Sequence, residues 1–258
     1  MNRINQLFQQ NPKNLLSVYF CAGSPTLNGT YQVIKDLANN GVSMIEIGIP
    51  FSDPMADGVV IQNAATQALR NGMTLKLLFQ QLKGIRQEVN IPLILMGYLN
   101  PIYQFGFEHF CQECAACGID GVIIPDLPFK DYQETYKAIA DHYNIRVIML
   151  ITPETCEERI RKIDAHTDGF IYMVSSTSTT GAQQDFNLQK QAYFEKVDAL
   201  HLRNPRMVGF GISNRQTFEA ACSHASGGII GSRFVTLLNQ YNGNADQAIK
   251  QLKQDIGM

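Results

Sequence analysis

No run of apolar residues in this chain approaches the roughly 20 needed to span a bilayer, so the sequence offers no transmembrane helix. It has no block of Lys and Arg and no aromatic-basic array, and its net charge is −2, which argues against nucleic acid as a partner. The opening Met1–Phe8 segment is polar and amphipathic and lacks the apolar core of a signal peptide, so a cytoplasmic protein is expected. No Ser/Gly/Pro-rich linker, low-complexity stretch or internal repeat divides the chain, and one domain over residues 1–258 is the expectation. No Gly-x-Gly-x-x-Gly follows any candidate strand, which removes the usual signature of a dinucleotide-binding sheet. Cysteine is sparse, six residues scattered through a chain too large to need disulfide staples, and reduced thiols follow. Cys111, Cys114 and Cys117 have a spacing compatible with zinc. They lack a downstream Cys or His pair, however, and fall within a helical pattern from Phe107 to Cys117, where packing accounts for them.

What the chain does contain is a regular beat of strand and helix. Short apolar runs at Leu16–Cys21, Met44–Ile49, Pro92–Met96, Gly121–Ile124, Arg146–Ile151, Phe170–Val174, Met207–Gly211 and Gly228–Gly231 read as strands. Helical spacing recurs over Thr30–Asn40, Val60–Arg70, Leu75–Glu88, Gly106–Cys117, Asp131–His142, Cys156–His166, Leu188–Ala199, Asn214–His224 and Ala245–Ile256. Each connection is long enough for a right-handed parallel crossover. Eight such units in 258 residues predict an α/β fold, a single (β/α)8 TIM barrel with an N-terminal extra helix.

Within that frame the most informative stretch is Ile45–Gly58. Glu46 interrupts an apolar strand, where a carboxylate would lose its hydration with no structural return, and such a cost commonly marks chemistry. Pro50, Pro54 and Gly58 shape the loop that follows and carry Asp57. In a barrel both acids would face one pocket at the carboxyl ends of the strands. Strand 7 ends in Gly209-Phe210-Gly211-Ile212-Ser213 and strand 8 in Gly227-Gly228-Ile229-Ile230-Gly231-Ser232. Glycines there let backbone amides approach an anion beside a helix N-terminus, so a phosphorylated substrate is expected. No Lys or Arg occurs in these turns before Arg233. The polar Ser175–Asp185 stretch has no helical period and reads as a mobile lid carrying Thr180 and Gly181 toward the reacting groups. No candidate strand carries a lysine, which argues against a Schiff-base aldolase. On these residues alone, the chain could be a lyase or isomerase acting on a sugar phosphate, or a non-catalytic subunit that binds and regulates a partner.

The stretch Glu46-Ile47-Gly48-Ile49-Pro50-Phe51-Ser52-Asp53-Pro54-Met55-Ala56-Asp57-Gly58 resembles, almost residue for residue, the strand-2 signature of the α subunits of tryptophan synthase. Gly209–Ser213, Gly228–Ser232, Asn63, Asn100-Pro101 and Tyr172 also fall where that family pattern has them, and the resemblance runs along nearly the whole chain. The stretch before Thr180-Gly181 differs, with Ser176, Ser178 and Thr179 where the family often has Arg and glycines. Strand 1 differs at Tyr19 and Cys21.

The resemblance implies reversible retro-aldol cleavage of indole-3-glycerol phosphate to indole and glyceraldehyde 3-phosphate, a step of tryptophan biosynthesis. It implies Glu46 as the proton-transfer residue, Asp57 as acceptor of the indole N–H, and no metal or organic cofactor. Tyr19, Met96, Ile123, Leu150, Tyr172, Thr180 and Phe210 would line the substrate slot. Backbone amides near Gly181, Gly211, Gly231 and Ser232 would take the phosphate. The expected partner is a tryptophan synthase β subunit bearing pyridoxal phosphate, in an α2β2 heterotetramer, docked on the rim at Asp53, Pro54, Asn100 and Pro101.

Overall fold

The computed structural model describes residues 1–175 and 183–258, with residues 183–190 described by their backbone alone. Strands β1 (Leu15–Cys21), β2 (Met44–Gly48), β3 (Leu93–Met96), β4 (Gly121–Ile123), β5 (Arg146–Ile151), β6 (Ile171–Val174), β7 (Arg206–Gly209) and β8 (Gly227–Ile230) are all parallel. They close in sequence order, with β8 returning to pair with β1. Around them lie α1 (Arg3–Gln10), α2 (Thr30–Asn39), α3 (Val59–Arg70), α4 (Leu75–Leu82), α5 (Leu99–Phe105), α6 (Phe107–Cys117), α7 (Phe129–Asp131), α8 (Lys137–His142), α9 (Glu157–His166), α10 (Gln183–Asp198), α11 (Arg215–His224), α12 (Ser232–Gln240) and α13 (Ala245–Ile256). Among the described residues no helix is long and apolar enough to cross a membrane.

Both faces of the strands are buried, which is why they read as continuous apolar runs rather than alternating ones. Alternate residues such as Val18, Phe20, Ile45, Ile47, Leu93 and Leu95 pack outward against the helices. The intervening set, including Leu15, Met44, Ile94, Ile123, Ile148 and Phe170, fills the barrel interior. Helix α1 seals the N-terminal end of that interior. Its cap is Asn2, whose side chain accepts the Ile4 N–H at 2.9 Å and donates to the carbonyls of Asp120 at 2.8 Å and Asn144 at 2.9 Å. Ile4 and Phe8 insert into the inner layer, where each buried side chain contributes about 1.5–3 kcal/mol. With Ile4 and Phe8 in the inner layer, α1 plugs the end of the barrel from which the strands start.

The structure differs from the sequence-based expectation in several helices. Helix α5 follows β3 directly, with Pro101 in its first turn, where the missing N–H costs nothing. Helix α12 follows β8, burying Phe234, Val235, Leu237 and Leu238; its entry through a glycine gave no capping signal in the sequence. The helix expected over Leu75–Glu88 ends at Leu82 because Gly84 adopts a left-handed φ of 80° before a short turn at Ile85–Gln87. Helix α10 begins at Gln183 rather than Leu188, so the end of the stretch expected to be a lid, Gln183–Asp185, is helical. Strand β7 stops at Gly209, because Phe210 and Gly211 both turn to positive φ. Cys111, Cys114 and Cys117 lie on the buried face of α6, where burial pushes the Cys111 thiol up to about 12 and that of Cys114 well above its usual value, consistent with packing.

Candidate active site

Glu46 sits in the middle of β2 with 0% exposure, pointing into the barrel. Ser17 on β1 donates its hydroxyl to Glu46 Oε1 at 3.1 Å, while Oε2 is buried with no hydrogen-bond partner. Desolvation raises the carboxyl to about 8 despite the opposing effect of the Ser17 hydrogen bond, so Glu46 holds a proton near neutrality. A buried acid with one unpartnered oxygen inside a barrel is equipped to give and take a proton.

Asp57 lies on the loop after β2 and is only partly buried. Tyr98, at the start of α5, donates its hydroxyl to Asp57 Oδ2 at 2.9 Å and accepts the Ala56 N–H at 2.9 Å. Its ring lies 5.4 Å from that of Phe51. One buried tyrosine therefore ties the loop after β2 to the segment after β3. Burial pushes the Asp57 carboxyl up, and the Tyr98 hydrogen bond partly offsets that.

Two tyrosines flank the acids. Tyr19 is the register neighbour of Glu46 on β1, and both Tyr19 and Tyr172 on β6 feel the charges of Glu46 and Asp57. Burial holds both phenols neutral, raising them well above their usual range. Glycine makes room for them: a side chain at Gly48 would collide with the Tyr19 ring and hydroxyl, and one at Gly209 with those of Tyr172. Gly209, read in the sequence as part of a phosphate turn, is thus a spacer for Tyr172. Phe210 stacks edge-on to Tyr172 at 6.2 Å and, with Met96 and Leu150, packs partly exposed against the inner layer. Ile123 is completely buried within that layer.

The ends of β7 and β8 provide contrasting helix termini. At α11, Asn214 accepts the Thr217 N–H at 3.0 Å and Thr217 Oγ1 accepts the Asn214 N–H at 3.2 Å, so that terminus caps itself. At α12, Gly231 precedes exposed Ser232 and no side chain caps the first turn, leaving its amides free for an anion. Gly211 is exposed, at φ 71°, and Ser175 Oγ donates at 2.6 Å to the carbonyl of Phe210, which holds a left-handed φ of 70°. Arg233 is turned aside, donating from Nε at 2.8 Å and Nη2 at 2.5 Å to Asp255.

On the rim, Asp53 and Asn100 are exposed and Pro54 and Pro101 half-buried. Around them are Met55, 90% exposed, Val59, 71% exposed, and Tyr103, 63% exposed. Thr180 and Gly181, with Ser176, Ser178 and Thr179, lie outside the described residues. Ser17 and Tyr98 were not singled out from the sequence, and Ser175, read there as the start of the lid, is instead buried and hydrogen-bonded to Phe210. Only the register of β1 against β2 puts Ser17 beside Glu46, and only the folded loops bring Tyr98 to Asp57. A cleft of about 510 Å³ is at the opposite end between α1 and the starts of β6–β8. Among its lining charges, Asp168 pairs with Arg146 at 3.0 Å and Arg206 with Asp198 at 2.7 Å.

A family profile described as tryptophan synthase alpha chain matches residues 4–258. A tryptophan synthase alpha chain from Bacteroides thetaiotaomicron is 72% identical over 256 residues, covering 99% of this chain and 100% of its own. One from Flavobacterium johnsoniae is 56% identical over 240 residues, covering 93% and 94%. Among solved structures, tryptophan synthase subunit alpha from Legionella pneumophila superposes with a TM-score of 0.86 at 31% identity, covering 100% of this chain and 99% of that one. A tryptophan synthase complex from Pyrococcus furiosus gives 0.85 at 32% identity, covering 95% and 99%. With the family's pattern matched from end to end and its fold reproduced, the chain belongs to the tryptophan synthase alpha chain family.

Proposed function

We propose that Glu46 and Asp57 perform the reaction of this family, with the open terminus of α12 holding the substrate phosphate. The chain is a carbon–carbon lyase that cleaves indole-3-glycerol phosphate to indole and glyceraldehyde 3-phosphate. The observation that carries the assignment of roles is the buried Glu46 carboxyl with its unpartnered Oε2. Protonated Glu46 gives its proton to C3 of the indole ring, and positive charge spreads to the ring nitrogen. Ionised Asp57, supported by Tyr98, accepts the indole N–H and stabilises that charge. The Glu46 carboxylate then takes the proton of the hydroxyl on the adjoining carbon. As the aldehyde forms, the carbon–carbon bond electrons return to the ring, and Glu46 ends protonated as it began.

Tyr19, Tyr172, Met96, Leu150 and Phe210 form the apolar walls, with Ile123 beneath them, and Thr180, outside the described residues, is also assigned to the substrate. The phosphate is taken by amides at Gly181, Gly211, Gly231 and Ser232, without help from Arg233. The chain acts as one domain over residues 1–258, in the cytoplasm, docked to a tryptophan synthase β subunit in an α2β2 assembly. The exposed apolar side chains of Met55, Val59 and Tyr103 around Asp53, Pro54, Asn100 and Pro101 support that rim as the docking surface.

The decisive assay follows indole released from indole-3-glycerol phosphate by the parent, Glu46→Gln and Asp57→Asn, each with and without a β subunit. Both substitutions are expected to lower kcat by roughly 10²–10⁴ while ligand binding persists. The β subunit is expected to bind and stimulate the parent. Near-normal cleavage by either variant would remove that residue from the mechanism, and absence of binding and stimulation would remove the docking assignment.

A further inference from the structure

We infer that Ser17 is a positioning residue for the reaction: by donating to Oε1 it dedicates Oε2 of Glu46 to carrying the transferred proton. This rests on the proposed proton-transfer role of Glu46. Both side chains are completely buried, Ser17 one strand away on β1, and their 3.1 Å contact is the hydrogen bond that each makes among the described residues. Had neutral Glu46 its proton on Oε1, the acid would donate to Ser17 Oγ, and the serine hydrogen would lose its acceptor inside the barrel. With the proton on Oε2 the Ser17 hydrogen keeps its acceptor, and the one hydrogen left without a protein partner is the acidic proton itself, available for transfer. The contact also fixes the plane of the carboxyl group.

Among the described residues, the neighbours of Glu46 offer no competing anchor. Beside it on β1 is Tyr19, and across the barrel on β6 is Tyr172, both neutral and both sharing their electrostatic environment with Asp57. From β3 come Ile94 and Met96, and α2 covers the opposite face of β2 with Val33, Ile34 and Leu37. Ser17 is thus the polar group that discriminates between the two oxygens. Because it donates to the ionised form, its removal should also make Glu46 hold its proton to higher pH.

The test uses the full chain and two readouts. The carbonyl stretch of the protonated Glu46 carboxyl, identified by its loss in Glu46→Gln, is titrated by infrared difference spectroscopy in the parent, Ser17→Ala and Ser17→Thr. The alkaline fall of kcat is measured in parallel. Ser17→Ala should move the spectroscopic midpoint and the alkaline limb upward by about one pH unit. It should lower kcat roughly tenfold with little change in KM, and Ser17→Thr, which keeps the donor, should restore both. Circular dichroism establishes that each variant is folded. A midpoint in Ser17→Ala coincident with that of the parent would overturn the inference, whether or not the variant is active. Normal cleavage by Glu46→Gln would instead strike the proton-transfer role on which it rests.

Discussion

Replacing Glu46 by Gln takes a titrating group out of the barrel interior and keeps its shape, so stability as well as activity should respond. The carboxyl titrates at 4.5 when exposed and at about 8 in the fold, so below about 4.5 both states hold the proton and nothing is lost. Between these values the unfolded chain releases a proton that the folded chain retains, and stability falls as pH rises, until the loss is complete above about 8. Glu46→Gln should therefore be more stable than the parent by about 4 kcal/mol at about pH 8, the two converging near about pH 4. Denaturant unfolding at both ends of that range checks the slope; a constant difference would mean the carboxyl is not protonated inside. Tyr98→Phe keeps the ring against Phe51 but removes the donor to Asp57 and the acceptor for the Ala56 N–H. Asp57 should then hold its proton to higher pH, so the acid limb of the rate profile moves up and kcat/KM drops roughly tenfold. An acid limb that stays in place would show that Tyr98 does not bear on the ionisation of Asp57.

At the scale of elements, helices α11 and α12 show why their preceding turns, similar in sequence, differ in what they offer a ligand. Helix α11 spends its terminus on Asn214 and Thr217, whereas α12 leaves its amides free beside Gly231. Gly211 stands opposite with a left-handed backbone, where a β-branched side chain is strained by about 1–2 kcal/mol and obstructs an approaching anion. Gly211→Val should raise KM at least roughly tenfold with a smaller effect on kcat. An unchanged KM would place the phosphate elsewhere. The glycine-rich strand ends were legible in the sequence because backbone freedom is written in residue type. Their division of labour was not, since Gly209 is required by the Tyr172 ring, which arrives from a different strand.

At the scale of the molecule, one carboxylate gathers several ties at the end of the barrel opposite the site. Asp120 accepts from Arg3 at 3.1 Å, from Arg86 at 2.5 Å and from the Leu93 N–H at 3.0 Å, and its carbonyl accepts from Asn2 at 2.8 Å. It joins the plugging helix α1 to β3 and to the segment after α4. Removing the carboxylate strands a largely buried guanidinium and a backbone N–H, so Asp120→Ala should cost about 3 kcal/mol in thermal or denaturant unfolding. The folded variant should keep its KM, because the site is at the other end. A loss below about 1 kcal/mol would reduce the network to a surface ion pair.

Sequence by itself pointed to eight parallel strand–helix units and singled out the two acids as candidates, while closure of the sheet is seen in the pairing of β8 with β1. The units and the acids follow from local quantities: the period and length of apolar runs, the spacing of crossovers, and the cost of a lone Glu in a buried strand. It did not determine which groups those acids meet. Ser17 and Glu46 are 29 positions apart and Tyr98 and Asp57 41 apart, and their contacts arise only when parallel strands settle into register and loops fold over the rim. Helix α12 was likewise decided by tertiary packing, its four buried apolar residues outweighing the lack of a capping side chain at Gly231. Burial is a property of the closed barrel, and it is burial that raises the Glu46 carboxyl to about 8 and keeps it protonated near neutrality.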